Sequence, residues 1–331
     1  DSVVEYATTF RLTGGAFGVE ESELTLTRTR VLSCTAASEG GALALESGRV
    51  FMNSCMISSC SAAQGGAVSS AGVLSCTNTA FTDCIAIDGG GARVSIGRAT
   101  FDKCVFKKCS AQQGGALWLA QGVARIFGDS KITSCTAIST GGGVHVEGSR
   151  TQLSVQSSTD GLFVSDTDVY GCSSGLDGGF LFVGIQDAEN TGETVIGVAA
   201  VGRTNVTNCR ATRGGGAFAA KGLLNVSLCV VHACEAPRGG ALLADGQFSN
   251  TTIFDTTFTA CFASIGGHFG WVTGGASVEL LDVRIELYFS RVNTTLFTIL
   301  NSTFTTGLLS LSVTACLDKI EPSSPPSLPS P

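Results

Sequence analysis

The stretch Phe106-Lys-Lys-Cys109-Ser-Ala-Gln-Gln-Gly114-Gly-Ala-Leu117 decides the fold, because its pattern returns along most of the chain. An apolar residue, two spacers and a cysteine are followed by a short polar run and a glycine pair. Before it stand Val31-x-x-Cys34 with Gly40-Gly41, Ile57-x-x-Cys60 with Gly65-Gly66, and Phe81-x-x-Cys84 with Gly90-Gly91. After it come Ile132-x-x-Cys135 with Gly142-Gly143, Val169-x-x-Cys172 with Gly178-Gly179, and Val206-x-x-Cys209 with Gly215-Gly216. The series ends with Val231-x-x-Cys234 before Gly239-Gly240 and Phe258-x-x-Cys261 before Gly266-Gly267. A period near 25 residues is the mark of a solenoid, in which each unit buries its apolar face only against its neighbours.

Between glycine pairs lie short apolar runs such as Ala42-Leu-Ala-Leu45 and Val50-Phe-Met52, bounded by Ser, Gly, Asn and Asp. Such runs are too short for helices and are bracketed by breakers, so they read as strands. About three fit in one period. That predicts an all-β fold, a right-handed parallel β-helix of about 25 residues per coil. One domain is expected over 1–316, with atypical terminal coils at about 1–30 and 276–316, then a Ser/Pro-rich extended tail or linker over 317–331. Two intervals, Gly142 to Gly178 and Gly178 to Gly215, are longer than the rest. Their extra length, at 151–159 and 186–194, predicts polar loops on one face.

Composition narrows the function. Net charge is −7 with only 20 basic residues, so no basic stripe exists to neutralise phosphates and nucleic acid is not an expected partner. No apolar run reaches 18 residues, so no membrane span is expected in this chain. Fourteen cysteines, without a C-x-x-C pattern, accompany five N-glycosylation sequons at Asn205, Asn225, Asn250, Asn293 and Asn301. Together they predict a secreted, extracellular or cell-surface protein.

If the Φ-x-x-Cys sites share one corner, Cys34, Cys60, Cys84, Cys109, Cys135, Cys172, Cys209, Cys234 and Cys261 form a column at the strand spacing of about 4.8 Å. That spacing admits disulfides between neighbouring coils, although their Cβ atoms would stand wider than the usual ~3.8 Å. Closure within a coil is a second option, through Cys55/Cys60, Cys104/Cys109, Cys229/Cys234 and the looser Cys76/Cys84. A buried ladder of thiols is the third. Of the three, disulfides are the first expectation.

The Gly-Gly-Ala-aliphatic tetrapeptides at Gly40, Gly65, Gly114 and Gly239 resemble the repeats of polymorphic outer-membrane proteins of intracellular bacteria and related β-helix proteins. Phe81-Thr-Asp-Cys84, Phe106-Lys-Lys-Cys109 and Phe258-Thr-Ala-Cys261 resemble their Phe-x-x-Asn motif, with Cys in place of Asn. The resemblance covers roughly residues 10–270 and implies a β-helix used for surface display or adhesion. The tail resembles hydroxyproline-rich wall glycoproteins of algae and plants, which makes Pro325, Pro326 and Pro329 candidates for O-glycosylation.

Catalysis on such a fold needs carboxylates converging on one face. Asp160, Asp166, Asp168, Asp177 and Asp187 crowd near the long intervals. Asp166-x-Asp168 would place two carboxylates on one side of a strand, a weak calcium candidate. His145, His232 and His268 have no ligand spacing and read as packing or surface residues. Trp118 and Trp271 follow glycine pairs and read as packing before sugar stacking. Ice binding would need a coil-by-coil Thr array, and Thr25-x-Thr27-x-Thr29 and Thr77-x-Thr79 do not extend into one. No cofactor is expected. The leading expectation is a structural or adhesive β-helix of a coat, matrix or filament, self-associating head to tail or binding surface glycoproteins and glycans, and not an enzyme. The alternative is a pectate-lyase-like carbohydrate-active enzyme or carbohydrate-binding module.

Overall fold

The computed structural model describes residues 2–5, 8–9, 13–148, 161–187, 194–289, 295–300, 302–307 and 309–315. They form a parallel β-helix of about 10 turns with about 26 residues per coil and no helix. Three long sheets run the length of the rod. The first contains Leu43–Leu45, Leu117–Leu119 and Leu181–Val183, the strands that follow the glycine pairs, and has 11 strands. The second, also of 11 strands, contains Gly48–Asn53, Val123–Phe127 and Leu223–Ser227. The third, of 12 strands, contains the Φ-x-x-Cys strands, such as Met56–Ser58 and Val105–Lys107. A fourth, six-stranded sheet contains Ser110–Gln113 and Thr136–Thr140 and lies between the cysteines and the glycine pairs. Within these four sheets every pairing joins a strand to its counterpart one coil away, for example Phe81 with Phe106 and Arg93 with Trp118.

The terminal segments continue the sheets. Ser2–Glu5 pairs with Thr29–Leu32 at one end, and Leu309–Ala315 pairs with Val283–Phe289 at the other. Both long intervals fall between a strand of the first sheet and the following strand of the second, after Val144–Val146 and after Leu181–Val183. One carries an antiparallel hairpin, Ile185–Asp187 with Thr194–Ile196, closed at its base by a Gly197 N–H donating to the Gly184 carbonyl at 2.9 Å. The expected loop at 151–159 lies outside the described residues.

The interior is one apolar cluster filled by the Φ residues and by alternate strand positions. Phe81 and Phe106 stack at 4.8 Å between ring centroids, with Phe101 edge-on to both. The glycine pair turns the chain from the fourth sheet into the first. Gly114 has φ +64, and a Cβ there would collide with the Leu117 carbonyl; a Cβ on Gly115 would collide with the Gly142 carbonyl of the next coil. The first glycine therefore supplies the left-handed turn and the second the close approach of coils.

The structure moves the pair by one residue in two coils. The left-handed glycines there are Gly89 and Gly141, so Gly91 and Gly143 occupy the position held elsewhere by Ala. In the ninth coil Gly267 is the left-handed residue and His268 stands in the second place. Runs of three glycines, and a glycine followed by a ring, hide this register from sequence inspection.

Candidate functional site

The cysteine column exists, and it contains no disulfide. The thirteen described cysteines are all buried thiols, which overturns the expectation of cross-links in favour of the thiol ladder. The bridges Leu32 with Ser58 and Thr35 with Ser61 bracket Cys34 and Cys60 in register, and the same frame repeats upward. The residue before each column cysteine is left-handed: Ser59, Asp83, Lys108 and Ser134 have φ between 53 and 56. That turn lets the thiol fold back and donate to the carbonyl two residues earlier, as Cys60 does to Ser58 and Cys109 to Lys107. Neighbouring thiols along the ladder are close enough to shift one another's titration.

A second corner, between the second and third sheets, uses the same device. Its column runs Thr29, Cys55, Thr79, Cys104, Ser130, Thr167, Thr204, Cys229 and Thr256. Thr79 donates to Thr77, Cys104 to Asp102 and Cys229 to Ser227. Hydroxyl and thiol are interchangeable here because both donate to the same i−2 carbonyl. This explains the C-x4-C pairs. Cys55 and Cys60 stand in different corners, at opposite ends of the strand Met56–Ser58, too far apart to be bridged. It also explains Thr27-x-Thr29 and Thr77-x-Thr79 as corner turns. Cys76 belongs to neither corner; it sits mid-strand between Met52 and Phe101.

Burial raises the Cys104 thiol pKa to about 12 and the Cys229 thiol to about 11, and holds Cys76, Cys135, Cys209 and Cys234 well above the ordinary thiol range. Thiolate is then negligible at neutral pH, and these cysteines are inert packing atoms. As such they carry no information about the redox compartment.

The remaining chemistry lines the outward face of the first sheet. The middle residue of most strands there is buried although it points away from the core. Ser69, Trp118, His145, Phe182, Ala219 and Leu243 are all below a tenth exposed. Arg93 lies over the Trp118 ring at 4.9 Å, Trp118 stacks on His145, and His145 stacks on Phe182 at 5.0 Å. Arg238 covers Trp271 in the same way at 5.3 Å. The residues before the glycine pairs close over this row: Gln113 accepts from the Trp118 indole N–H at 3.3 Å, and Thr140 shares a 2.8 Å hydrogen bond with His145 Nδ1. Burial holds His145 neutral, with its pKa lowered to about 3.

Around Arg93 stand three carboxylates. Glu39 accepts from the Ser69 hydroxyl at 3.2 Å and lies 3.9 Å from the guanidinium. Burial raises the pKa of Asp88, and burial plus repulsion from Asp88 raises that of Glu147, with Arg93 opposing both. Arg93 Nε is buried without a hydrogen-bond partner. Sequence reasoning missed this group. Its only signal is the middle position of the strand after each glycine pair, which inspection takes for core.

The expected acidic set does not converge. Asp166 is a left-handed corner residue, φ 48, held bidentate by Arg203 of the next coil at 2.7 and 2.8 Å. Asp168 is exposed on the third sheet and accepts from the Asn205 amide at 3.0 Å. The two therefore do not share a strand face, and among the described residues no group of three His, Cys, Asp or Glu is placed to hold a metal. Asp177 is fully buried and paired with Arg213. Asp187 lies in the hairpin, and Asp160 lies outside the described residues. His232 is exposed and bonded to Thr259; His268 accepts from the Ala263 N–H at 3.0 Å. Asn205, Asn225 and Asn250 are exposed on outward faces of the second and third sheets. Asn293, Asn301, Pro325, Pro326 and Pro329 lie outside the described residues. No described helix is long and apolar enough to cross a membrane.

No protein-family model, no curated protein and no solved structure matches the chain. The likeness to polymorphic outer-membrane proteins therefore rests on the tetrapeptides alone.

Proposed function

We propose that the chain is a secreted, glycosylated structural or adhesive rod of a cell-surface coat, matrix or filament. The observation that carries this reading is that most outward ion pairs, with the aromatic row, tie one coil to the next. Asp166 with Arg203, Asp168 with Asn205, Arg210 with Glu235 and Asp177 with Arg213 are all neighbours along the axis. So are the two corner ladders and the aromatic row. Side chains committed to axial contacts stiffen a rod and are withdrawn from a reacting substrate.

The same facts weigh against the carbohydrate-active alternative. Sugar stacking needs an open aromatic face, whereas Trp118 is covered by Arg93 on one side and His145 on the other. Its proposed carboxylates, Asp166 and Asp177, are held by arginines. The exposed sequon asparagines suit glycan attachment. Antibody labelling of intact source cells tests the reading. Signal at the surface of unpermeabilised cells is expected; signal only after permeabilisation would sink it. Depolymerisation of an acidic polysaccharide would instead favour the alternative.

A further inference from the structure

The two corner columns make the same turn and the same hydrogen bond, yet only one of them insists on sulfur. At the second corner, coils from Thr29 to Thr256 carry threonine, serine or cysteine, so hydroxyl and thiol serve alike. At the first corner the same coils carry cysteine at every position from Cys34 to Cys261. Burial does not explain the difference, because Thr79, Ser130 and Thr204 are as deeply buried as Cys84, Cys109 and Cys135. The i−2 carbonyl does not explain it either, because Thr79 and Thr204 donate to theirs as Cys84 and Cys135 do. A thiol exceeds a hydroxyl in three respects: it cross-links, it attacks as a thiolate, and it binds soft cations. The ladder contains no disulfide, and its sulfurs are shut away from any substrate. Affinity for a soft cation remains.

The geometry decides which cation. Strand pairs hold neighbouring cysteines in register, for instance Thr82 with Lys107 and Ile85 with Ser110 around Cys84 and Cys109. The thiols also share one orientation: Cys60, Cys84, Cys109, Cys172 and Cys234 each meet the i−2 carbonyl and the carbonyl of the Φ residue one coil below. Sulfurs in one orientation, one coil apart, repeat at the strand spacing of about 4.8 Å. Two metal–sulfur bonds of about 2.3 Å laid end to end span about 4.6 Å. A column presents its sulfurs two at a time, and among the described residues no three donors converge, so a four-coordinate ion such as zinc finds no site.

We infer that the first corner binds a row of linear, two-coordinate soft monovalent cations of the copper(I) class, one in each gap between neighbouring cysteines. This goes beyond the reading of the protein as a structural rod and does not rest on it. Each ion replaces one thiol proton: the S–H bond breaks, the proton leaves to solvent, a metal–sulfur bond forms, and no electron changes hands. Nine sulfurs leave eight gaps, so the last thiol keeps its proton and the filled column stays neutral in its apolar surroundings. Closed coils seal the column, so the ions enter as the chain folds.

Silver(I), which needs no reductant, is the probe. The full chain is folded from urea with silver nitrate in chloride-free buffer, then passed through gel filtration in excess dithiothreitol to strip accessible ions. Native mass spectrometry counts those retained, and far-UV circular dichroism establishes that each variant is folded. The wild type should retain eight ions, one per gap. Cys135→Ser interrupts two gaps and should retain six, and Cys34→Ser, at the end of the column, seven. Cys104→Ser, whose column neighbours are Thr79 and Ser130, should retain all eight. Cys84→Ser carries the same expectation as Cys135→Ser, should the latter not fold. X-ray absorption should show two sulfur neighbours for each ion. A wild type that retains no silver, a loss of one ion for every thiol removed at either corner, or four sulfur neighbours overturns the proposal.

Discussion

Serine should replace cysteine almost without effect in a corner and at a clear cost in mid-strand, although both thiols are buried. Cys104 donates to the Asp102 carbonyl, and the residue before it in its column is Thr79, whose hydroxyl donates to the Thr77 carbonyl at 3.0 Å. In Cys104→Ser the new hydroxyl inherits a ready acceptor, so the loss should stay below about 1 kcal/mol. Cys76 is fully buried, and its thiol faces the apolar core cluster beside Phe101 and Met52. In Cys76→Ser a hydroxyl enters that core without a partner, which costs about 1–3 kcal/mol. Equilibrium urea unfolding of both variants in reducing buffer, followed by far-UV circular dichroism, measures the difference. Equal destabilisation would refute the corner mechanism, since it would mean that the i−2 carbonyl gives no special welcome to a hydroxyl.

Other consequences follow from the same geometry. Thr251 is fully buried with an unpartnered hydroxyl, so Thr251→Val should raise stability by about 1–2 kcal/mol in the same assay. Ala233 sits at φ 51 before Cys234, and Ala233→Gly should relieve about 1 kcal/mol of left-handed strain; a loss would contradict it. His145 is neutral in the fold, with its pKa depressed to about 3 from 6.5. The unfolded chain therefore binds the extra proton first, and stability should fall as pH drops from about 6.5 toward 3. His145→Phe should flatten that slope, and an unchanged slope would dismiss His145 as its source. Glu147 has a raised pKa, so the fold holds its proton more tightly than the unfolded chain does. Stability should fall as pH rises through the carboxyl range, and Glu147→Gln should remove that part of the dependence.

The architecture was legible in sequence because a solenoid repeats its local chemistry. The Φ residue, the cysteine and the glycine pair each occupy one position in every coil, and repetition separates signal from accident. Disulfides were a wrong inference from correct placement. Stacked cysteines lie at strand spacing, and the left-handed residue before each one turns its sulfur toward the i−2 carbonyl. That dihedral has no sequence signature, since Ser33, Asp83, Lys108 and Ala260 all adopt it. The Arg93 group was missed for a related reason. Glu39, Asp88, Arg93 and Glu147 are dispersed over more than a hundred residues, and only the stacking of coils brings them together. Asp166 and Asp168 show the converse. Two positions apart in sequence, they are parted by a corner and tied to different residues of the next coil.

Distances between spin labels along the second sheet test the stacking most directly. Phe51, Asn225 and Glu279 occupy one outward column, with Asn225 six coils and Glu279 eight coils from Phe51. Pulsed electron resonance on labelled cysteine pairs at 51/225 and 51/279 should give about 29 and about 38 Å, near 4.8 Å per coil. The two long coils should add no more than the short ones. Distances that follow the number of intervening residues instead, or that fail to rise from the first pair to the second, would contradict a rod of coils in register.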